Sequence, residues 1–191
     1  MGMIVLSENV SLDGVIEDPA GGEGFSRGGW VGRVGDRGRD DAAKILLEEA
    51  LRAEALLLGR HSYEFFAGRW PSRSGELADR LNSLPKYVVS ATLEDPHWSN
   101  STVLTGDVVN EVSELRQALD GEILVYASFQ LVYTLLEHDL IDELRLMVYP
   151  VVLGAGERLF GETEDKIPMR HLGARTVGDD LALLTYEPIR E

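Results

Sequence analysis

The residues Gly59-Arg60-His61-Ser62 place groups suited to phosphate side by side. Arg60 brings a permanent cation with a planar fork of donors. His61 adds a second donor, and the preceding apolar run stops at Gly59. A short apolar run, Ala55–Leu58, precedes them, and the helical pattern SYEFFAG follows, with Ser62 as its expected N-cap. The order is strand, glycine turn, helix start. Ligands of open α/β sheets bind at the carboxyl ends of strands, and a helix N-terminus adds N–H groups and the positive end of a dipole. Two further strand ends carry polar residues: Ser90-Ala91-Thr92 after KYVVS, and Ala127-Ser128 after EILVY. Each turn alone reads as readily as an ordinary polar connection. Together, along one sheet edge, they offer hydroxyls, helix N–H groups and a cation to one extended phosphate ligand, and the expectation is a dinucleotide cleft.

Such ends line up only if their strands run parallel, which requires intervening helices. Apolar runs predict strands at Met3–Ser7, Ala55–Leu58, Lys86–Ser90, Thr102–Leu104, Glu122–Tyr126 and Glu143–Tyr149. Helical periodicity begins at Asp40 (DDAAKILLEEALRA) and recurs over Ser62–Ala67, Ser74–Leu84, Val108–Leu119 and Ser128–His138. The tail His171–Pro188 reads as two strands around Gly178-Asp179-Asp180. The alternation points to an α/β fold with a largely parallel sheet, made mixed by the antiparallel tail. Asp18 to Asp40 is glycine-rich and carries Trp30 and several arginines, the composition of a lid or binding loop.

The chain has 191 residues, enough for one domain over 1–191 with a substantial core. It holds no cysteine, which removes disulfides, zinc–thiolate sites and thiol nucleophiles and fits a reducing, cytoplasmic setting. The N-terminus reads as a strand rather than a signal peptide, and no run approaches a membrane span. A formal net charge of −15 argues against nucleic acid as a partner. Phosphate must therefore be held by local cations and helix ends against the mean field. Other patterns fail. Gly154-Ala155-Gly156 has Leu159 where a dinucleotide fingerprint needs its third glycine. Pro85 breaks the helix that would bring Ser83 and Lys86 onto one face. His61, His97, His138 and His171 lack ligand spacing, so no metal is expected.

GRHSYEFF, KYVVS–AT, the Ala127-Ser128 turn, Ser11-Leu12-Asp13-Gly14, and the block Leu140–Leu146 with Tyr149–Phe160 together resemble the dihydrofolate reductase-like superfamily. The nearest likeness is to the reductase domain of the bifunctional riboflavin-biosynthesis deaminase/reductase and its stand-alone relatives. It runs through nearly the whole chain, in order. The resemblance implies a three-layer α/β/α fold that binds NADPH and passes its hydride to a heterocycle. It implies that Gly59, Arg60, His61 and Ser62 face the cofactor phosphates, Ser90 and Thr92 the adenosine end, and Ala127, Ser128 and Phe129 the pyrophosphate and nicotinamide. It places Asp13 by the substrate as proton source, with a bound water as the alternative. Trp30 would sit in a loop closing over the substrate, and Asp40 or Asp41 where a folate reductase keeps its pterin carboxylate; dipole-favoured helix-start residues are the alternative there. Arg27, Arg33, Arg37 and Arg39 would hold a substrate phosphate or else lie in solvent. Ala127 stands where the family usually has glycine.

The expected function is NADPH-dependent reduction of a small heterocycle, with the riboflavin-pathway 5-amino-6-(5-phosphoribosylamino)uracil as the candidate. The alternatives are a non-catalytic NADP- or ligand-binding protein of the same fold and, ranked last, a dihydrofolate reductase. The resemblance implies a homodimer in which the late strand ELRLMVYPVVL pairs across a two-fold axis; an internal strand with both faces buried is the equal alternative for that segment.

Overall fold

Apolar runs become strands, and the periodic segments between them become helices. The computed structural model describes residues 1–163 and 165–190. The strands are β1 (Met3–Ser11), β2 (Ala53–Gly59), β3 (Lys86–Val89), β4 (Ser101–Leu104), β5 (Glu122–Tyr126), β6 (Glu143–Tyr149), β7 (Met169–Val177) and β8 (Leu181–Pro188). The helices are α1 (Asp36–Arg52), α2 (Arg60–Ala67), α3 (Glu76–Ser83), α4 (Val108–Ala118) and α5 (Phe129–Glu137). The strand order is β4-β3-β2-β5-β1-β6-β8-β7. β2 pairs parallel with β3 and β5, as does β3 with β4, while β8 pairs antiparallel with β6 and β7. This is the expected mixed, mostly parallel sheet with its antiparallel C-terminal hairpin. β1 runs on past Ser7 to Ser11, with Glu8 and Ser11 buried despite their polarity.

Contacts divide the chain into two units, the first made of Met1–Leu6 and Leu46–Asp142. Its core gathers Val5, Leu56, Leu58, Tyr63, Leu81, Val88, Trp98 and Leu124. Lys86 is fully buried here. Its ammonium donates to the carbonyls of Asn82 (2.8 Å), Leu84 (2.9 Å) and Ser99 (3.0 Å) and lies 4.3 Å from the centre of the Trp98 ring. Two of those carbonyls belong to the end of α3 and the residue after it, where a helix leaves acceptors without intrahelical donors. Lys86 is thus an anchor for the α3–β3 turn, and Ser83 donates instead to Arg80 O (2.8 Å).

The second unit comprises Ser7–Ile45 and Glu143–Glu191. Its core holds Val15, Trp30, Val34, Ile45, Met147, Tyr149 and Leu181. The glycine-rich segment is more ordered than its composition suggests. It forms a 3-10 turn at Trp30–Arg33, and α1 starts at Asp36, earlier than Asp40. Asp36 supplies the acidic first turn, and Arg39 ties that turn together through Asp36 and the carbonyls of Gly32 and Val34. Gly38, a poor helix former, sits where the turn between β7 and β8 reaches the helix backbone.

Candidate functional site

Three strand ends meet in the first unit. Gly59 of β2 lies opposite Val89 of β3, and Leu57 opposite Val125 of β5, so the β2 end stands between the other two. The sequence placed these ends on one edge, and the parallel register brings them there.

The local geometry departs from expectation at Ser62. Helix α2 begins at Arg60 with Gly59 as its N-cap and no side-chain cap. Ser62 is inside the helix, and its hydroxyl accepts from the N–H of Ser128 (2.9 Å). It bridges two strand ends instead of capping one. Gly59 has φ −75°, open to any residue, and a Cβ there would meet Ser128 Cβ at 3.7 Å, ordinary contact. No neighbour in this unit demands a glycine at that position.

Ala127 (φ 50°) and Ser128 (φ 60°) are consecutive left-handed residues. That conformation costs roughly 1–2 kcal/mol for each L-residue, which is why glycine suits such a turn. Ser128 offsets part of the cost. Its hydroxyl donates to Tyr126 O (2.9 Å) and accepts from Gly59 N (3.0 Å). The turn aims the start of α5, opened by Phe129, along the same edge. Ala127 has no such compensation, so Ala127→Gly should stabilise the fold by about 0.5–1 kcal/mol, after the added freedom of the unfolded chain is subtracted. A higher midpoint in thermal melts checks this; a lower one would mean that the methyl group packs usefully.

Arg60 is half exposed. Its Nε donates to Glu64 Oε1 (2.8 Å), and its Nη1 donates to Thr92 Oγ1. Ser90 Oγ accepts from Thr92 N (3.2 Å) and Leu93 N (3.1 Å), shaping the turn that presents Thr92. His61 is exposed. The sequence reading missed Glu64, although its i,i+4 spacing from Arg60 was the available signal.

The other expected residues lie in the second unit. Asp13 accepts from Leu153 N (3.0 Å), Ser11 Oγ (2.7 Å) and Gly154 N (2.7 Å), with Arg158 at 4.0 Å. The Leu153 N–H first, then the Ser11 hydroxyl and the Gly154 N–H, hold its carboxyl well below the usual carboxylate range. A carboxylate so held carries its charge near neutrality. It anchors the loop after β6. Asp41 lies past the first turn of α1, where it pairs with Lys44 (2.7 Å) of the same helix. The Lys44 hydrogen bond is the main reason its carboxyl is acidified. Trp30, expected to face substrate, is 1% exposed. Its ring packs edge-on against Tyr149 (5.3 Å), and its Nε1 donates to Glu17 O (3.0 Å). Of the four loop arginines, Arg27 donates to Leu153 O, Arg37 pairs with Asp179 (2.9 Å) and Arg39 with Asp36, while Arg33 is exposed. Among the described residues no three His, Cys, Asp or Glu side chains cluster as metal ligands, and no helix is long and apolar enough to cross a membrane.

This sheet order, with strand ends meeting at an arginine-bearing helix start, is the dihydrofolate reductase-like fold. The chain superposes with a TM-score of 0.61 on dihydrofolate reductase from Enterococcus faecalis complexed with NADP(H) (13% identity, 97% of this chain, 96% of that one). Residues 3–183 match the RibD C-terminal domain, and the chain belongs to that family. It is 28% identical to the uncharacterized protein YyaP of Bacillus subtilis (strain 168), over 96% of this chain and 93% of that protein. A structure assigned to riboflavin biosynthesis from Shewanella sp. PV-4 matches with a TM-score of 0.78 (24% identity, 98% of this chain, 99% of that one). The Thermotoga maritima diaminohydroxyphosphoribosylaminopyrimidine deaminase/5-amino-6-(5-phosphoribosylamino)uracil reductase matches at 0.63 (13% identity, 98% of this chain, 56% of that one).

Proposed function

We propose that this chain is an NADPH-dependent reductase of a small heterocyclic substrate, with a phosphoribosylamino-uracil of the riboflavin pathway as the leading candidate. The supporting observation is the edge where Gly59, Ser90 and Ala127-Ser128 lie side by side with Arg60 beside them. The residues fit the cofactor: Arg60 offers a guanidinium to a 2′-phosphate, the α2 and α5 starts offer N–H groups to the pyrophosphate, and Gly59 leaves its backbone bare. NADPH would supply the hydride, while the protein orients, neutralises and excludes water. Family membership and the named functions of the structural neighbours agree with this reading. We place the protein in the cytoplasm as a homodimer, which a sizing column would read as twice 21.1 kDa.

A binding protein without turnover is the second reading. One observation favours it: Asp13, the candidate proton source, is held as an ionised anchor. If turnover occurs, the proton reaches the substrate through Asp13 or from a bound water.

Cofactor fluorescence during titration with NADPH and NADH tests the first reading. Arg60→Ala should weaken NADPH binding roughly tenfold to a hundredfold, by analogy with a lost charge-assisted bidentate contact. Absence of binding by folded wild-type protein would refute the cofactor site. Binding without oxidation of NADPH by the uracil intermediate would favour the second reading.

A further inference from the structure

Arg60 is not a bare cation. Its Nε is held by Glu64 Oε1 at 2.8 Å, one turn along α2, and its Nη1 by Thr92 Oγ1. Arg60 and Glu64 are 46% and 49% exposed, so a ligand can reach either. The two groups favour different riboses. A guanidinium forks onto a phosphate, whereas a carboxylate accepts a hydrogen bond from a 2′-hydroxyl and repels a 2′-phosphate. Glu64 Oε1 sits on the Nε of the same guanidinium, so a phosphate approaching Arg60 also approaches the Glu64 carboxylate. In a chain of net charge −15, the surrounding field does nothing to cancel that repulsion.

We propose that Glu64 is a specificity-determining residue and that the Arg60–Glu64 pair admits NADH as well as NADPH. The proposal rests on the cofactor reading above. Arg60 favours the phosphorylated cofactor. Glu64 opposes its 2′-phosphate and accepts from the 2′-hydroxyl of the other. The pair therefore narrows a preference that Arg60 alone would make steep.

The test is titration of wild type and Glu64→Gln with NADPH and with NADH at low and at high salt. Glutamine keeps an oxygen for Arg60 and removes the charge. The variant should bind NADPH about tenfold more tightly at low salt and NADH no more tightly than wild type, with the NADPH gain shrinking as salt screens the charge. An unchanged melting temperature would show that the change is local. NADPH affinity that is unchanged or weaker in Glu64→Gln overturns the proposal and leaves the cofactor site standing, as does wild-type protein that binds NADPH but not NADH. Wild-type protein that binds neither removes the cofactor reading and this inference with it.

Discussion

Replacing Lys86 by methionine should cost the fold about 2–4 kcal/mol and lower its melting temperature by roughly 5–15 °C. Methionine fills much of the same volume but donates nothing. The carbonyls of Asn82, Leu84 and Ser99 would lose their donor where Lys86 is fully buried. Each unsatisfied buried acceptor costs about 1–3 kcal/mol, part of which is offset because an ammonium no longer has to be desolvated. The lysine should also leave a signature in pH. Burial pushes its ammonium down from 10.5 to about 8. The folded state then releases the proton before the unfolded state does, so the unfolded chain binds more protons between those values. The penalty from this group is fully present below pH 8 and fades as pH rises toward 10.5, so stability climbs across that window. Urea unfolding from pH 7 to 10.5 should show the rise in wild type and not in Lys86→Met. An equal slope in both would place its source elsewhere.

Gly178→Ala should cost a comparable amount, about 2–5 kcal/mol, for a steric reason. Gly178 has φ 61°, and a Cβ there would lie 2.5 Å from Gly38 Cα and 2.8 Å from Gly38 N. Those atoms are helix backbone and cannot rotate aside. The left-handed conformation contributes roughly 1–2 kcal/mol and overpacking about 1–3 kcal/mol more. The turn is further held by the Arg37–Asp179 pair. Thermal melts of the variant check the value. A midpoint within a degree or two of wild type would mean that the hairpin turn swings away from α1 at little cost.

Both sites show where the sequence was legible and where it was not. Lys86 opens KYVVS, and its apolar neighbours and Pro85 mark a strand, but no local pattern reports that its stem is buried and its head caps α3. The glycine at 178 was readable as a turn. Its contact with Gly38 was not, and without it a glycine inside DRGRDD argues for a loop, so α1 is read as starting late. Ser62 is a good cap by type, yet its hydroxyl answers to Ser128 across the sheet edge.

The sequence by itself determined the alternation of strands and helices, the antiparallel tail, and the three polar strand ends that lie together once their strands run parallel. Those features come from short-range signals: apolar runs of strand length, helical periodicity, and glycine or proline between them. Tertiary structure decided which of the chemical groups stay available. It bonded Asp13 to the loop after β6, in the Leu153–Gly154 segment 140 and 141 positions away, buried Trp30 against Tyr149, and joined Gly59 to Ser128 across 69 positions. A side chain's type states what it can bond. Its partner is set by whatever the fold brings within hydrogen-bond reach, and distance along the chain carries no record of that.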